Sequence, residues 1–447
     1  MEFSVPVRYI PVSGINGING SIHFLDIDGK KILLDAGMNP QNPNETREKI
    51  EKFDQEPDAV IISHAHFDHI GSLPFIIRKF PRARIYMTYP TLILGERMLE
   101  HSIHLSRKQA REKWEKWDYG CSMEELEQMF QIFQSFRYKR SFPIHHFFEK
   151  NIQISFWDAG HILGSAGILL QYQSKSIFYT GNMKLSSQSI MKGAELPGKQ
   201  IEILFLESTY GSNESNLLPG YQEEKSRFVK FVNQKLQADG MVLVPVFALG
   251  RTQEILRTLY DALIEGNLRT AQIYVTGLGN SFIRLYDQLS RYWKKKGDIK
   301  LKVLCHSLKN IKSIPPKSIV LATSGFMKEG TYSFEIAKKI INDPKSGIAF
   351  VGYMDPDTPG YKLREQQIQS LNEESALLKG AEVQSFHFSA HSPQKELLEV
   401  VKKLQPRKII LHHGEYEAMN NLKDAILDQY SQVEEVLIPS EGSEYKL

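Results

Sequence analysis

The chain has 447 residues, 41% hydrophobic and 24% charged, with a formal net charge of +3. This is the composition of an ordinary soluble globular protein with room for two or three domains, and its charge permits a polyanionic partner without demanding one. The two cysteines, Cys121 and Cys305, lie far apart and form no CxxC pair, which excludes a disulfide framework and a cysteine-based zinc ribbon. The start, MEFSVPVRYI, has no basic stretch followed by an apolar one, and no run reaches membrane-spanning length, so the expected compartment is the cytosol and no membrane is expected as a partner.

Taken in chain order, residues 1 to about 60 predict short strands in VPVRYIPV, SIHFLDI, KKILLDAG and DAVIIS, separated by turn signals such as GINGING and DGKK. A short helix is predicted over 73–80, a strand in ARIYMT, and mainly helix over 90–135. IQISFWDA, GILLQY and SIFYTG return to strands. From about 220 helix and strand alternate. The helix around 222–237 places Phe228, Phe231, Val232 and Leu236 at helical spacing. MVLVPVF, QIYVTG, SIVLATS and GIAFVGY read as buried strands, and Ile255, Leu256, Leu259 and Leu263 mark a helix between the first two. Such alternation implies a parallel sheet covered by helices on both faces. After about 385 come SFHFSAH, a helix, strand KIILHH and a further helix. There are no repeats and no low-complexity linker.

Between the strand ending at Ser63 and a helix expected near Ser72 runs SHAHFDHIGS, with three histidines and an aspartate crowded together. In an extended segment alternate side chains share a side, so His64 and His66 can hold one metal. Asp68 and His69, where the chain turns into the helix, can reach a second. Imidazoles with a carboxylate favour zinc, while ligand type alone leaves iron and manganese open. A polar loop with incidental histidines is the competing reading, and for a lone histidine it would win; this set at a strand end is read as a metal site.

This motif and the pieces that follow it resemble the metallo-β-lactamase fold: Asp35 in LLDAG, the HxHxDH run, His161 in DAGHILGSAG, and FYTGN, in that order. Later pieces resemble the β-CASP branch, which acts on nucleic acids: Glu207 in LFLESTYG, His391 in FSAHS and His413 in ILHHGE. VPVFALGRTQEIL and LATSGFMKEG are similar to segments of the RNA 3′-end cleavage and polyadenylation nucleases and their prokaryotic relatives. The resemblance implies an α/β fold class: an αββα sandwich over 1–206 and 386–447, with a cap domain inserted over 207–385, a parallel sheet flanked by helices.

Carried over residue by residue, the resemblance implies one metal held by His64, His66 and His161 and another by Asp68, His69 and His413. Asp35 would orient ligand imidazoles, and His391 paired with Glu207 would protonate a leaving oxygen. Asp35 as a plain turn residue is the competing reading, and His412 is read as packing or support. Histidine at position 413 goes with RNA-type members of the branch, whereas DNA-processing relatives tend to carry valine. One residue departs from the pattern: where the family has an aspartate bridging two metals, this chain has Asn182. A neutral amide is a poor bridge, so the second zinc site is expected to be weakened. An engineered change, a natural variant using one tightly held metal, and an enzyme that has lost activity are the three accounts, and the intact remainder of the set favours the first two.

For substrate, backbone N–H groups near Gly325 with Thr323 and Ser324 offer a phosphate cradle, and Arg251 opens a helix that can reach it; a plain strand-to-helix turn is the alternative. GYMDPDTPGYK is a further lining candidate. The basic stretches 106–113 and 292–296 read as solvated helix faces or as an RNA path. The segment 90–145, with Trp114 and Trp117, is expected to cover the site or bind a protein partner, and oligomers are open. The function expected is a two-zinc-type phosphodiester hydrolase on RNA, endonuclease or exonuclease. An inactive RNA-binding scaffold subunit is the alternative, with a DNA nuclease or small-ester hydrolase behind it.

Overall fold

The structure, a computed structural model, describes residues 5–17, 19–113, 119–144, 151–198, 200–269, 271–293, 299–352, 354, 357–372 and 380–447, with 109, 111–113 and 366–372 described by backbone alone. Trp114, Trp117, Lys294, Lys295, Lys296, Tyr353, Asp355 and Pro356, singled out above, lie outside the described residues.

The first stretch runs β1 (Val7–Ser13), β2 (Ile22–Ile27), β3 (Lys30–Leu34), α1 (Pro43–Lys52), β4 (Ala59–Ile61), α2 (Phe67–Ile70), α3 (Leu73–Lys79) and β5 (Arg84–Thr88). It continues through α4 (Tyr89–Lys113), α5 (Met123–Ile132), β6 (Gln134–Phe136), β7 (Phe142–Pro143), β8 (Gln153–Asp158), β9 (Ala166–Tyr172), β10 (Lys175–Tyr179) and β11 (Ile203–Glu207). The middle stretch holds α6 (Tyr221–Gln237), β12 (Val242–Pro245), α7 (Arg251–Ile264), β13 (Gln272–Thr276), α8 (Gly277–Gln288), β14 (His306–Leu308), β15 (Ser318–Ala322), α9 (Tyr332–Ile340), β16 (Gly347–Phe350), α10 (Pro359–Asn372) and β17 (Glu382–Ser385). The chain ends with α11 (Gln394–Leu404), β18 (Lys408–His412), α12 (Tyr416–Gln429), β19 (Glu435–Leu437) and β20 (Tyr445–Lys446).

Among the described residues the strands form three sheets, ordered β20-β1-β2-β3-β4-β5-β6, β19-β18-β11-β10-β9-β8-β7 and β14-β13-β15-β12-β16-β17. Two compact units result. One comprises residues 1–187, 193–217 and 390–447; the other 188–192 and 218–389. Glu207, placed above at the start of the cap, thus ends a strand of the first unit's second sheet, paired between β10 and β18. The second unit begins later, at Leu218, and also takes in 188–192. Glu254 explains that addition: its buried carboxylate accepts from Ser189 N (2.7 Å), Ile190 N (2.9 Å) and the Tyr221 hydroxyl.

In the first unit the two sheets face each other across Tyr9, Leu25, Ile32, Phe156, Ile168 and Phe205. The outer face of the first sheet is covered from α1, α3, α4 and α5 by residues such as Ile50, Ile76, Leu99 and Leu126, and that of the second from α11 and α12 by Leu397, Val401 and Leu422. This is the αββα sandwich. β2 and β3 turn through Asp28–Gly29, both at positive φ (52° and 77°), the backbone that a two-residue hairpin requires and the DG pair supplies. In the second unit every strand pair is parallel. β12, β15 and β16 are buried along their whole length, as strands covered by helices on both faces must be.

The predicted strands and helices are present with shifted ends. Elements that the sequence reading passed over are α1, α2, β6, β7, β11, β14, β17, β19 and β20. α1 starts at Asn42-Pro43, whose Asn side chain caps Glu45 N, but it buries only Thr46 and Ile50, too narrow a stripe to show as periodicity.

Candidate metal centre

The site forms where parallel strands of the first unit end. β3 delivers Asp35, β4 delivers Ser63 to His69, β10 delivers Asn182, β11 delivers Glu207, and β18 delivers His413. His161 comes from the loop between β8 and β9. The loop of Asp35 packs directly under that of Asp68: a Cβ on Gly37 would lie 1.8 Å from the Asp68 carbonyl oxygen, so only glycine fits there.

The potential ligand atoms of His64, His66 and His161 all lie within 4.8 Å of one another, and so do those of Asp68, His69 and His413. The hydrogen bonds around them fix which ring nitrogen faces inward. His69 Nδ1 donates to Asp35 Oδ2 (2.7 Å), and His161 Nδ1 to the Ala390 carbonyl (2.9 Å). Ser63 Oγ donates to Asp35 Oδ2 (2.8 Å) and so accepts from His64 Nδ1 (3.0 Å). Thr209 Oγ1 donates to the His413 carbonyl (3.0 Å) and so accepts from His413 Nδ1 (3.0 Å). Four imidazoles therefore keep the Nδ1 proton on the outside and turn a bare Nε2 lone pair into the site. His64 Nε2 and His69 Nε2 are buried with no hydrogen-bond partner, as is Asn182 Oδ1. Inward lone pairs beside a carboxylate are a cation's donor set, and these residues fit a divalent metal.

The electrostatics agree for three of these four rings. Burial, reinforced by neighbouring imidazoles, pushes His64 and His161 well below the ordinary histidine range, the deprotonated state in which imidazole ligates. Burial also lowers His413. For His69 burial acts downward, but Asp68 and Asp35 outweigh it and hold the ring above its usual value. Asp68 is held far below the carboxylate range against its burial, first by His69.

Asp35 accepts from four donors: Ser63 N at 2.6 Å on Oδ1, and Ser63 Oγ, His69 Nδ1 and Tyr179 Oη on Oδ2. It is the buried support under both donor triads, and a plain turn residue would not gather these partners. Asp35 (φ 62°) and His413 (φ 56°) both adopt left-handed backbone. His391 Nδ1 lies 2.9 and 3.0 Å from the two Glu207 oxygens, and Met183 N also donates to Glu207 Oε1 (2.7 Å). Burial pushes Glu207 up, but His391 outweighs it and holds the carboxyl below its usual range. Asn182 is buried, its Nδ2 3.5 Å from His413 Nε2. His412 faces away from the donors: its ring stacks on Tyr179 (4.9 Å) and meets His23 edge-on (5.1 Å).

Arg251 and Gly325 lie in the second unit and line one recess with Phe247 and Gly352 at the carboxyl end of its sheet. Thr323 and Ser324 follow β15 beside them, with Thr323 N bonded to Thr276 Oγ1 (3.0 Å). Sequence reading missed Ser63 and Thr209, whose hydroxyls orient the His64 and His413 rings, and Tyr179, whose hydroxyl donates to Asp35. Each stands inside or beside a quoted motif, but a hydroxyl partner carries no spacing signature.

Convergent donor triads at the strand ends of an αββα sandwich define a metallo-hydrolase of the metallo-β-lactamase fold. The chain belongs to the β-CASP branch of that family. Residues 24–209 match the metallo-beta-lactamase superfamily domain, 252–363 the Beta-Casp domain, and 379–439 the Zn-dependent metallo-hydrolase RNA specificity domain. An RNase J-like protein of Methanocaldococcus jannaschii is 30% identical over 401 residues, covering 87% of this chain and 88% of that one. The RNase aCSPSF2 of Saccharolobus solfataricus is 28% identical, over 93% and 80%. Cleavage and polyadenylation specificity factor subunit 3 of Dictyostelium discoideum is 26% identical over 96% of this chain, which spans 56% of that protein. A solved Enterococcus faecalis protein of unknown function shares the fold, with a TM-score of 0.58 at 13% identity over 99% of this chain and all of that one. Among the described residues no helix is long and apolar enough to cross a membrane.

Proposed function

We propose that the chain is a metal-dependent phosphodiester hydrolase acting on RNA, with zinc as its metal. The observation that carries this reading is the set of four rings locked Nδ1-outward, with the Nε2 atoms of His64 and His69 buried and without a hydrogen-bond partner. His64, His66 and His161 would hold one ion, and Asp68, His69 and His413 the other. Divalent ions in such a pair neutralise phosphoryl charge and supply hydroxide at neutral pH. The chain's own groups do the rest. Asp35 holds His69 directly and His64 through Ser63. His391, oriented by Glu207, stands within ring contact of both His161 (4.7 Å) and His413 (5.9 Å), where it can give a proton to the departing ribose oxygen. Arg251, Thr323, Ser324 and Gly325 would take backbone phosphates of the RNA.

Asn182 weakens the second ion in this reading. Its amide adds no negative charge between two cations, and as oriented it presents an N–H group to the His413 lone pair. The experiment is metal analysis with RNA cleavage by the unaltered chain, Asn182→Asp, and Asn182→Asp with His391→Ala. Asn182→Asp should raise the metal content toward two ions and cleavage by at least about 10-fold. The second change should remove the gained cleavage and leave the metals in place. If Asn182→Asp binds two ions yet cuts neither RNA nor DNA, an RNA-binding scaffold replaces this reading.

A further inference from the structure

Behind Asp35, on the side away from the ligands, a line of polar side chains crosses the apolar layer between the two sheets of the first unit. Tyr9, Ser21, His23 and Tyr179 are each fully buried. Tyr179 Oη donates to Asp35 Oδ2 (2.7 Å) and lies 3.4 Å from Ser21 Oγ. Ser21 Oγ is 2.9 Å from His23 Nε2, and His23 Nδ1 is 2.9 Å from Tyr9 Oη.

Counting protons gives this line a direction. Tyr179 has one hydroxyl proton and gives it to Asp35, so its oxygen can only accept from Ser21. Ser21 then has no proton left for His23 and must accept from Nε2–H. A neutral His23 carries no second N–H, so Nδ1 accepts the proton of Tyr9. This is the direction in which every donor of the line has an acceptor. In a buried apolar setting such chains polarise along their length, and an unpaired member is costly. An all-apolar filling of this space would have served packing alone.

We infer that Tyr9, His23, Ser21 and Tyr179 form a one-way hydrogen-bond relay that fixes the orientation of Asp35 and, through it, the grip of His69 on the second metal. His23 and Tyr179 are positioning residues, reaching the metal only through Asp35. The relay rests on the metal reading of the site and extends it one layer inward.

The test uses the full chain with cobalt(II) alone and zinc alone as probes, the latter against a competing chelator, so that no readout depends on nuclease activity. Four variants are compared: Tyr179→Phe, Ser21→Ala, His23→Phe and His23→Gln. Loss of a group that orients metal ligands typically lowers affinity roughly 10–100-fold. Tyr179→Phe should fall in that range at the weaker ion, with an altered cobalt absorption band. Ser21→Ala and His23→Phe should move both readouts the same way by a smaller factor. His23→Gln keeps an N–H where Nε2–H stood and should restore both, which a purely structural role would not. If His23→Phe fails to fold, Ser21→Ala, which removes a single hydroxyl, decides. Unchanged affinity and unchanged cobalt band in Ser21→Ala and Tyr179→Phe would overturn the relay while leaving the metal site standing. Absence of cobalt uptake by the unaltered chain would overturn the metal reading, and the relay with it.

Discussion

The His23 ring gives a stability test that needs neither metal nor substrate. Burial, opposed by Asp35, lowers its pKa from 6.5 to about 3. A base with a depressed folded pKa binds fewer protons than the unfolded chain between those two values. The native state therefore loses stability as the pH falls through that window, and the loss is complete near pH 3. Between pH 7 and pH 5 this one ring accounts for about 2 kcal/mol. His64, His161, His412 and His413 are also lowered by burial and would contribute in the same direction, so the unaltered chain alone cannot isolate His23. The difference from His23→Gln can, because glutamine does not titrate. Urea unfolding of the metal-free proteins should find the unaltered chain more stable at pH 7. The gap should narrow by about 2 kcal/mol at pH 5. A gap constant to within about 0.5 kcal/mol, the ordinary scatter of independent effects, would refute a buried neutral ring at this position.

Thr209→Val keeps the shape but takes away the acceptor of His413 Nδ1–H, so zinc affinity should fall about 10–100-fold in a chelator competition while the fold is kept. Glu254→Ala leaves the Ser189 and Ile190 amides without their acceptor and should destabilise the second unit by about 2 kcal/mol or more, read as a lower thermal midpoint, with Glu254→Gln milder. RNA binding should weaken with salt at a log–log slope of roughly −0.7 per phosphate neutralised, and Arg251→Ala should flatten it by under about one such unit. Salt-independent binding would argue for a small-molecule substrate.

The strands of the sandwich were legible because their apolar runs are short, alternating and bounded by turn residues, as in SIHFLDI-DGK-KILL. The helices of the second unit were legible where a broad apolar stripe repeats, as on α6. α1 was not, since two buried side chains make no pattern. HxHxDH announced itself by crowding ligand types into one loop. His161 and His413 did not, because each is a single histidine whose meaning depends on where a distant strand ends; only the resemblance to a family reached them. The chain's crossing from one unit to the other was legible only coarsely. Glu207 ends β11 and His413 directly follows the adjacent β18, and strand pairing across about 200 residues leaves no local trace. The hydroxyl partners were least legible of all, since Ser63, Thr209 and Tyr179 each act through a lone hydroxyl group.

The left-handed backbone at Asp35 and His413 bears on how such a chain would age. An L-residue other than glycine is held there against a preference of roughly 1–2 kcal/mol, so at both positions glycine would relax the main chain. A lineage released from metal binding would thus be pulled toward glycine at the two places where the site needs side chains most. Drift of that kind begins where folding gains from it. No such pull acts at Asn182, whose backbone is not among the left-handed ones. An asparagine there, in place of the aspartate that the family resemblance leads one to expect, would alter one charge and little shape, so only the chemistry would register it.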